Sequence, residues 1–254
     1  MLKYSLIFSF CLLGFTSNIQ TDEVKSFEFG SRYCKVIIKG ESENDAIFVS
    51  LHDNENTSVI AFKEVSEQIN RPILIELQQN GGRNLKYGFN GKDYLIDPNR
   101  IFSEIGLENS LKKNNNTYPK EIIAPIKDFA SKLLAIILPK SRLNYIVAIH
   151  NNSNDNFSVK YYANSSIAEK TYINPNEDVD DFFYVTERSD FEFFKSKKRN
   201  VILQSKNVFD DGSLSVYCGR NNLPYINIEA QDGHKEVQKQ MIKEAYFLIK
   251  SKQP

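Results

Sequence analysis

The sequence has no excess of charge and few cysteines or histidines. Lysine plus arginine number 32, aspartate plus glutamate also number 32, and 3 cysteines and 3 histidines occur among 254 residues. Without a net positive field the chain has little to attract nucleic acid or an acidic membrane surface, so we expect no polyanionic partner. The histidines are few enough to be weighed one by one.

Long apolar runs are also missing, apart from one at the start. Residues 1–17 combine a short basic beginning, an apolar stretch of about a dozen residues and small residues near the end, which is the order of a secretory signal peptide. The apolar stretch is too short for a membrane span of about 20 residues. We therefore expect a signal peptide over residues 1–17. The mature chain would then be secreted or periplasmic and have no membrane span.

Removal of that leader leaves two cysteines, Cys34 and Cys218. An even pair in an oxidising compartment can form one disulfide, and the alternative is two buried thiols. The remaining chain shows no repeat and no long linker. Its length and its 41% of hydrophobic residues suit one substantial core, so residues 18–254 are predicted to form a single domain.

Short β-type runs alternate with helical patterns along this domain. The predicted strands are residues 35–39, 46–51, 72–77, 145–149, 157–162, 182–186, 201–204, 213–217 and 225–228. The predicted helices are 57–68, 125–138 and 234–249, and Asp232 or Gly233 can cap the last of them. This mixture predicts an α/β fold, a three-layer sandwich with a mixed, mostly parallel central sheet and a ligand site at strand ends.

The clearest chemical signal is a pair of histidines at the ends of two apolar runs. His52 follows the run 46–51 with Glu55 three positions on, and His150 follows the run 145–149. Two imidazoles and one carboxylate are a ligand set that holds a single zinc ion with one position open for catalysis. Taken alone, His52 would more often be a polar residue satisfied by a neighbour, and Glu55 can equally be a first-turn carboxylate facing the helix dipole.

Four elements in this order resemble the zinc carboxypeptidase superfamily, which includes carboxypeptidase A-like enzymes and the aspartoacylase and succinylglutamate desuccinylase branch. The matching positions are His52 with Glu55, Asn99 with Arg100 inside the segment 97–102, His150, and Glu229 at the end of the strand 225–228. The resemblance covers roughly residues 46 to 250. Pro98 stands where the family usually has leucine, and the spacing between the first ligands and His150 is more like the deacylase branch.

The resemblance implies a role for each position. His52, Glu55 and His150 would bind one Zn²⁺, and Glu229 would accept a proton from water and pass it to the leaving nitrogen. Asn99 and Arg100 would hold a substrate carboxylate, since a guanidinium offers two parallel hydrogen bonds. Arg83 would stabilise the oxyanion, by analogy with an upstream arginine of the carboxypeptidases, and Gly81 and Gly82 would let its loop turn into the cleft.

The alternatives are ordinary structural roles. Glu229 can be a strand-end acid, Asn99 and Arg100 a surface turn, and Arg83 a solvated loop arginine. His234 more often begins the last helix than lines a pocket. Tyr217, Tyr225 and Arg220 are possible substrate contacts, although both tyrosines are expected to pack as strand aromatics.

The leading functional hypothesis is an exported zinc metallopeptidase of carboxypeptidase type that acts on a peptide, with cell-wall peptides as a reasonable substrate. A second is an N-acyl amino acid deacylase of the same superfamily. The third belongs to a different class, a carboxylate-binding module that keeps the fold but has lost catalysis. A pure binder has no need of all three metal ligands together with Glu229, which favours an enzyme.

Overall fold

The computed structural model describes residues 22–40, 46–138, 145–154, 157–163 and 165–252. The predicted signal peptide, residues 1–17, lies outside them. In the described part of the chain, no helix is both long enough and apolar enough to cross a bilayer.

The described residues form eleven strands and seven α-helices. The strands are β1 (Glu23–Phe29), β2 (Arg32–Lys39), β3 (Ile47–Ser50), β4 (Leu74–Gln78), β5 (Leu85–Phe89), β6 (Lys92–Ile96), β7 (Ile146–Asn152), β8 (Ala168–Tyr172), β9 (Phe182–Val185), β10 (Val201–Gln204) and β11 (Tyr225–Gln231). The helices are α1 (Asn56–Ser66), α2 (Glu104–Asn114), α3 (Ile123–Ile137), α4 (Val159–Tyr162), α5 (Arg188–Ser196), α6 (Leu214–Arg220) and α7 (Lys235–Ser251).

Nine of these strands form one mixed sheet in the order β1-β2-β4-β3-β7-β11-β9-β10-β8. Its centre is parallel, because β3 pairs in parallel with both β4 and β7, and β7 pairs in parallel with β11. Antiparallel pairs flank this centre, with β2 beside β4 and β9 beside β11. The prediction of a mixed, mostly parallel sheet is confirmed for its centre. β3 and the first four residues of β7 are almost wholly apolar, as expected of strands covered on both faces, whereas β11 also contains Asn227, Glu229 and Gln231.

Helices cover both faces of the sheet, which makes three layers. Buried side chains of α1, α5 and α7 share one hydrophobic cluster with one face of β3, β7 and β11. Those of α2, α3 and α6 share a second cluster with the opposite face. The predicted three-layer α/β sandwich is confirmed. Ile126, Phe129, Leu133 and Ile137 form the buried face of α3, as their spacing predicts.

Two predicted strands are wrong. Residues 157–162 contain the short helix α4, and residues 213–217 contain the start of α6. In the second case Ser213 is the N-cap, since its hydroxyl accepts a hydrogen bond from the Val216 N–H. Val159 and Val216 are buried from these helices, whereas Tyr161 of α4 is 63% exposed. The predicted cap of α7 is also wrong, because its N-cap is His234, while Asp232 accepts a hydrogen bond from Thr57.

Cys34 and Cys218 are buried free thiols. Both lie in the same hydrophobic cluster, on the α2, α3 and α6 side of the sheet. Burial raises the pKa of the Cys34 thiol to about 12. Of the two alternatives open from the sequence, the structure therefore has the buried thiols and no disulfide between these residues.

Candidate metal centre

His52 and Glu55 are brought together by a tight turn between β3 and α1. The buried β3 ends at Ser50, and the Glu55 N–H donates a hydrogen bond to the His52 carbonyl at 3.2 Å. This contact folds the chain back within three residues, so that both side chains face the same point. His52 Nδ1 lies 2.8 Å from Glu55 Oε1.

His150 reaches the same point from a neighbouring strand. It lies near the end of β7, which runs parallel to β3 with Val49 opposite Ala148. The carboxyl ends of parallel strands meet at one edge of the sheet, so His150 emerges beside the turn that carries His52. From behind, the buried Gln238 of α7 donates a hydrogen bond to the His150 carbonyl at 3.0 Å and holds this part of the strand.

The three side chains offer one donor atom each within 4.8 Å of one another. His150 Nδ1 is 2.8 Å from Glu55 Oε2, and the Nδ1 atoms of His52 and His150 are 3.3 Å apart. Their exposed fractions are 2% for His52, 4% for Glu55 and 3% for His150, so little water competes for these atoms. The structure thus brings together all three residues that the sequence proposes as metal ligands.

The chemistry of this donor set fits a zinc ion. Two Nδ1 atoms face each other at 3.3 Å with a carboxylate against both, so three electron-rich atoms converge on one point. A cation there can accept a lone pair from each donor, and three protein ligands leave a fourth position open.

The pKa values of His52 and Glu55 are coupled. Burial opposes a charged His52, yet the Glu55 carboxylate and the hydrogen bond to Asp97 raise the pKa of His52 to about 9. In turn, the two imidazoles hold the pKa of Glu55 well below its usual range despite burial.

Asp97 supports the centre from behind His52. Its Oδ1 lies 3.0 Å from His52 Nε2, and this contact holds the pKa of Asp97 below its usual range although burial opposes it. A carboxylate acceptor at Nε2 favours the tautomer that carries its proton there, which leaves the Nδ1 lone pair for a metal. The sequence pattern gives Asp97 no role beyond its place in the segment 97–102, because its contact with His52 is made only in the folded chain.

We expect Asp97→Asn to weaken zinc binding about 10- to 100-fold, the usual effect of losing such a carboxylate–histidine contact. Competition with a fluorescent zinc chelator measures the affinity. Asp93→Asn is the matched control, because Asp93 pairs with Arg32 at 3.0 Å through side chains that are 31% and 56% exposed. Equal zinc affinity of the Asp97 variant and the wild type would contradict this role.

Arg83 lies against the same carboxylates. Its Nη1 is 2.9 Å from Glu55 Oε1 and its Nη2 is 3.6 Å from Asp97 Oδ2, while half of its side chain (51%) is exposed. The loop before it is anchored, since Asp53 Oδ2 accepts hydrogen bonds from the N–H groups of Gln79 and Gly81. Gly81 has a φ of +70°, a conformation that glycine adopts without strain. Arg83 therefore stands at the mouth of the centre.

Glu229 lies on the strand next to His150. It is opposite His150 in the parallel pair of β11 and β7 and is 7% exposed. Burial raises the pKa of its carboxyl group, while His150 and a 2.9 Å hydrogen bond from Asn227 Nδ2 act in the opposite direction. A carboxyl group with a raised pKa beside cationic groups is suited to accept and return a proton. Nothing in the sequence pattern indicates this contact of Asn227 with Glu229.

Asn99 and Arg100 follow Asp97 on the turn Pro98–Arg100. The Asn99 side-chain oxygen accepts a hydrogen bond from the Leu214 N–H at 2.9 Å, so part of this amide holds the start of α6. Arg100 Nη1 donates to the Asn99 carbonyl at 2.6 Å, and Arg100 Nη2 lies 3.6 Å from Asp211 Oδ2. The turn thus places Arg100 three residues from the carboxylate that contacts His52.

The remaining candidates have structural partners. His234 Nδ1 lies 2.9 Å from Asp181, and together with Asp178 they form a second group able to hold a metal, although Asp178 is exposed. Arg220 pairs with Asp210 at 2.6 Å. Tyr225 is a buried strand residue, as expected, whereas Tyr217 is partly buried on a helix and not on a strand.

Comparison with models of known protein families gives no match, and comparison with curated protein sequences gives none either. Among solved structures, the chain is similar to a murein-tripeptide amidase from Escherichia coli O157, with 15% identity, 82% of each chain covered and a TM-score of 0.44. It is similar to an aspartoacylase family protein from Mesorhizobium loti, with 11% identity, 91% of this chain and 67% of that chain covered, and a TM-score of 0.45.

A succinylglutamate desuccinylase from Vibrio cholerae shows the same values, namely 11% identity, coverage of 91% and 67%, and a TM-score of 0.45.

Proposed function

We propose that the chain is a zinc-dependent hydrolase that cleaves an amide bond next to a free carboxylate, as an exported metallopeptidase of carboxypeptidase type. The observation that carries this proposal is the convergence of His52, Glu55 and His150 on one buried point, with Glu229 opposite His150 on the next strand. Export is part of the proposal because of the leader-like residues 1–17, and it makes cell-wall peptides a candidate substrate.

The residues of the candidate metal centre and its neighbours would have separate roles in amide hydrolysis. His52, Glu55 and His150 would hold the ion, which supplies Lewis acidity for the scissile carbonyl and for a water molecule. Glu229 takes a proton from that water and returns it to the leaving nitrogen, for which its raised pKa suits it. Asp97 keeps His52 in the ligating tautomer.

Arg83 is the residue best placed to stabilise the developing oxyanion. In the structure its guanidinium contacts Glu55 at 2.9 Å, yet half of its side chain is exposed and can turn toward a substrate. Arg100 lies farther along and is 36% exposed, so its guanidinium can receive a substrate carboxylate. Arg83 and Arg100 could act in the same way on either substrate class. One class is a peptide with a free C-terminal carboxylate, and the other is an N-acyl amino acid.

Arg83→Ala is expected to lower kcat by roughly 10²- to 10³-fold, the usual cost of losing an oxyanion donor. Zinc content is expected to stay unchanged, because Arg83 is no ligand. Steady-state rates and metal analysis on the same preparation measure both quantities. Turnover close to that of the wild type would contradict the role and would leave Arg83 as a surface partner of Glu55.

Removal of zinc provides the direct test of the proposed function. Protein treated with a chelator is expected to lose hydrolysis of blocked dipeptides that end in a free carboxylate, and added Zn²⁺ is expected to restore it. A parallel panel of N-acyl amino acids tests the deacylase alternative, to which the same buried centre is equally suited. If the zinc-loaded protein hydrolyses neither panel, both enzyme proposals fail, and carboxylate binding without turnover becomes the function to pursue.

A further inference from the structure

Helix α1 begins at the metal centre with an N-cap residue that is itself a proposed ligand. Glu55 is the N-cap of α1, and its side chain lies against His52 and His150 and makes no capping hydrogen bond to the helix. The N–H groups of a first helical turn have no partner within the helix and need an acceptor from elsewhere. The use of Glu55 as a ligand therefore requires another side chain to cap α1.

The cap comes from the strand that carries His150. Asn151 Oδ1 accepts a hydrogen bond at 2.8 Å from the Ser58 N–H, which lies in the first turn of α1. Ser58 is fully buried, and its hydroxyl donates to the Glu55 carbonyl at 2.7 Å. Two hydrogen bonds thus connect the residue after His150 to the backbone of Glu55.

The amide nitrogen of Asn151 extends this connection to two further elements. Asn151 Nδ2 donates to Gln238 Oε1 at 2.8 Å and to the Ala230 carbonyl at 3.3 Å. Gln238 is fully buried and donates in turn to the His150 carbonyl at 3.0 Å. Ser58, Asn151 and Gln238 therefore form a polar bridge that joins α1, β7, β11 and α7.

The polar bridge uses none of the atoms that would bind an ion. Successive residues of a strand point to opposite faces of the sheet, so Asn151 faces α1 and α7 while His150 faces the other side. The hydrogen bonds of the bridge can therefore form before an ion binds. Ordering of side chains and loops on binding costs free energy, and a site whose ligands are already held in place avoids part of that cost.

We propose that Ser58, Asn151 and Gln238 are positioning residues for the metal centre. They hold the Glu55 turn and the His150 strand at the ligating separation in the metal-free chain, and they thereby determine how tightly zinc is bound. This inference rests on the zinc centre of the proposed function and adds to it the residues that organise the centre from the opposite face of the sheet.

Asn151→Ala removes the middle of the polar bridge and is expected to weaken zinc binding by the full chain about tenfold, the lower end of the usual effect of losing a residue that supports metal ligands. Competition with a fluorescent zinc chelator measures the affinity. In the metal-free protein, hydrogen exchange of the Ser58 amide is expected to become faster in this variant. A purely structural role would lower the unfolding temperature and leave zinc affinity unchanged.

Ser103→Ala is the matched control, because Ser103 is the N-cap of α2 and its hydroxyl accepts a hydrogen bond from the Gly106 N–H at 3.1 Å. The control removes a helix cap, as Asn151→Ala does, but is expected to keep the zinc affinity of the wild type. Ser58→Ala is a milder second variant, since alanine is the best helix former and only the hydroxyl bonded to the Glu55 carbonyl is lost. It is expected to weaken zinc binding in the same direction.

Unchanged zinc affinity in Asn151→Ala and Ser58→Ala would overturn the inference, and so would an equal loss of affinity in the Ser103→Ala control. If Asn151→Ala does not fold, the affinity of Ser58→Ala decides alone. Neither measurement uses turnover. Weakened zinc binding in the bridge variants of a protein that hydrolyses no amide would refute the proposed function alone, whereas full affinity in the variants of an active enzyme would refute this inference alone.

Discussion

Replacement of Glu229 by glutamine is expected to lower kcat by about 10²- to 10⁴-fold, the range typical of a lost general acid–base group. Glutamine keeps the size of the side chain but cannot accept a proton from water at neutral pH. Zinc affinity and substrate binding should change little, since Glu229 lies on β11 beside the three proposed ligands and is not one of them. Initial rates and metal content, measured on one preparation, test this expectation.

A control for this substitution is Glu236→Gln on the first turn of α7, where the side chain is 75% exposed. It removes the same charge from the protein without touching the cleft and should leave kcat unchanged. If Glu229→Gln turned over within about threefold of the wild type, water activation would have to come from another group, because such a change is far below the usual general-base effect.

His150→Ala is expected to abolish retention of zinc through dialysis and, with it, hydrolysis. Loss of one of three protein ligands leaves two donors that cannot close a tight site. The side chain is buried on β7, so the variant is compared with metal-free wild type by thermal unfolding to separate metal loss from misfolding. Inductively coupled plasma mass spectrometry measures the metal content.

His234→Ala is the matched control for this experiment. His234 is the third histidine of the described chain and pairs with Asp181, outside the first centre. The variant should keep its tightly bound zinc and its activity. Loss of the tightly bound ion from His234→Ala but not from His150→Ala would place the main metal centre at the second group and contradict the proposed one.

The central part of the fold could be predicted because its strands contain short runs rich in apolar residues. The run 46–51 contains β3, the run 145–149 overlaps β7, and the run 225–228 begins β11. The unpredicted elements lack such a signal. β1 alternates exposed and partly buried residues at the edge of the sheet, and α2 carries few apolar residues on a mostly polar helix. β1 and α2 form mainly because of contacts with the rest of the chain, and the hydrophobic pattern of their own residues is too weak to predict them.

The candidate metal ligands could be predicted because their residue types and their positions after apolar runs already indicate a metal site. His52 and Glu55 are three residues apart, and a turn after a strand is enough to bring them together. His150 required the further assumption that two apolar runs become neighbouring parallel strands. The role of Asp97 was not predictable, because it is defined by a contact with His52, which is far away in sequence.

The ligand atoms come from two distant parts of the chain, the turn after β3 and the end of β7. An ion held by both is a cross-link that exists only in the folded state, so metal binding and folding are thermodynamically linked. At a free zinc concentration about 100 times the dissociation constant, this linkage adds about 2.7 kcal/mol to the free energy of unfolding. If the proposed centre binds zinc, the zinc content of its surroundings would set how well the chain resists heat and proteases, independently of any substrate.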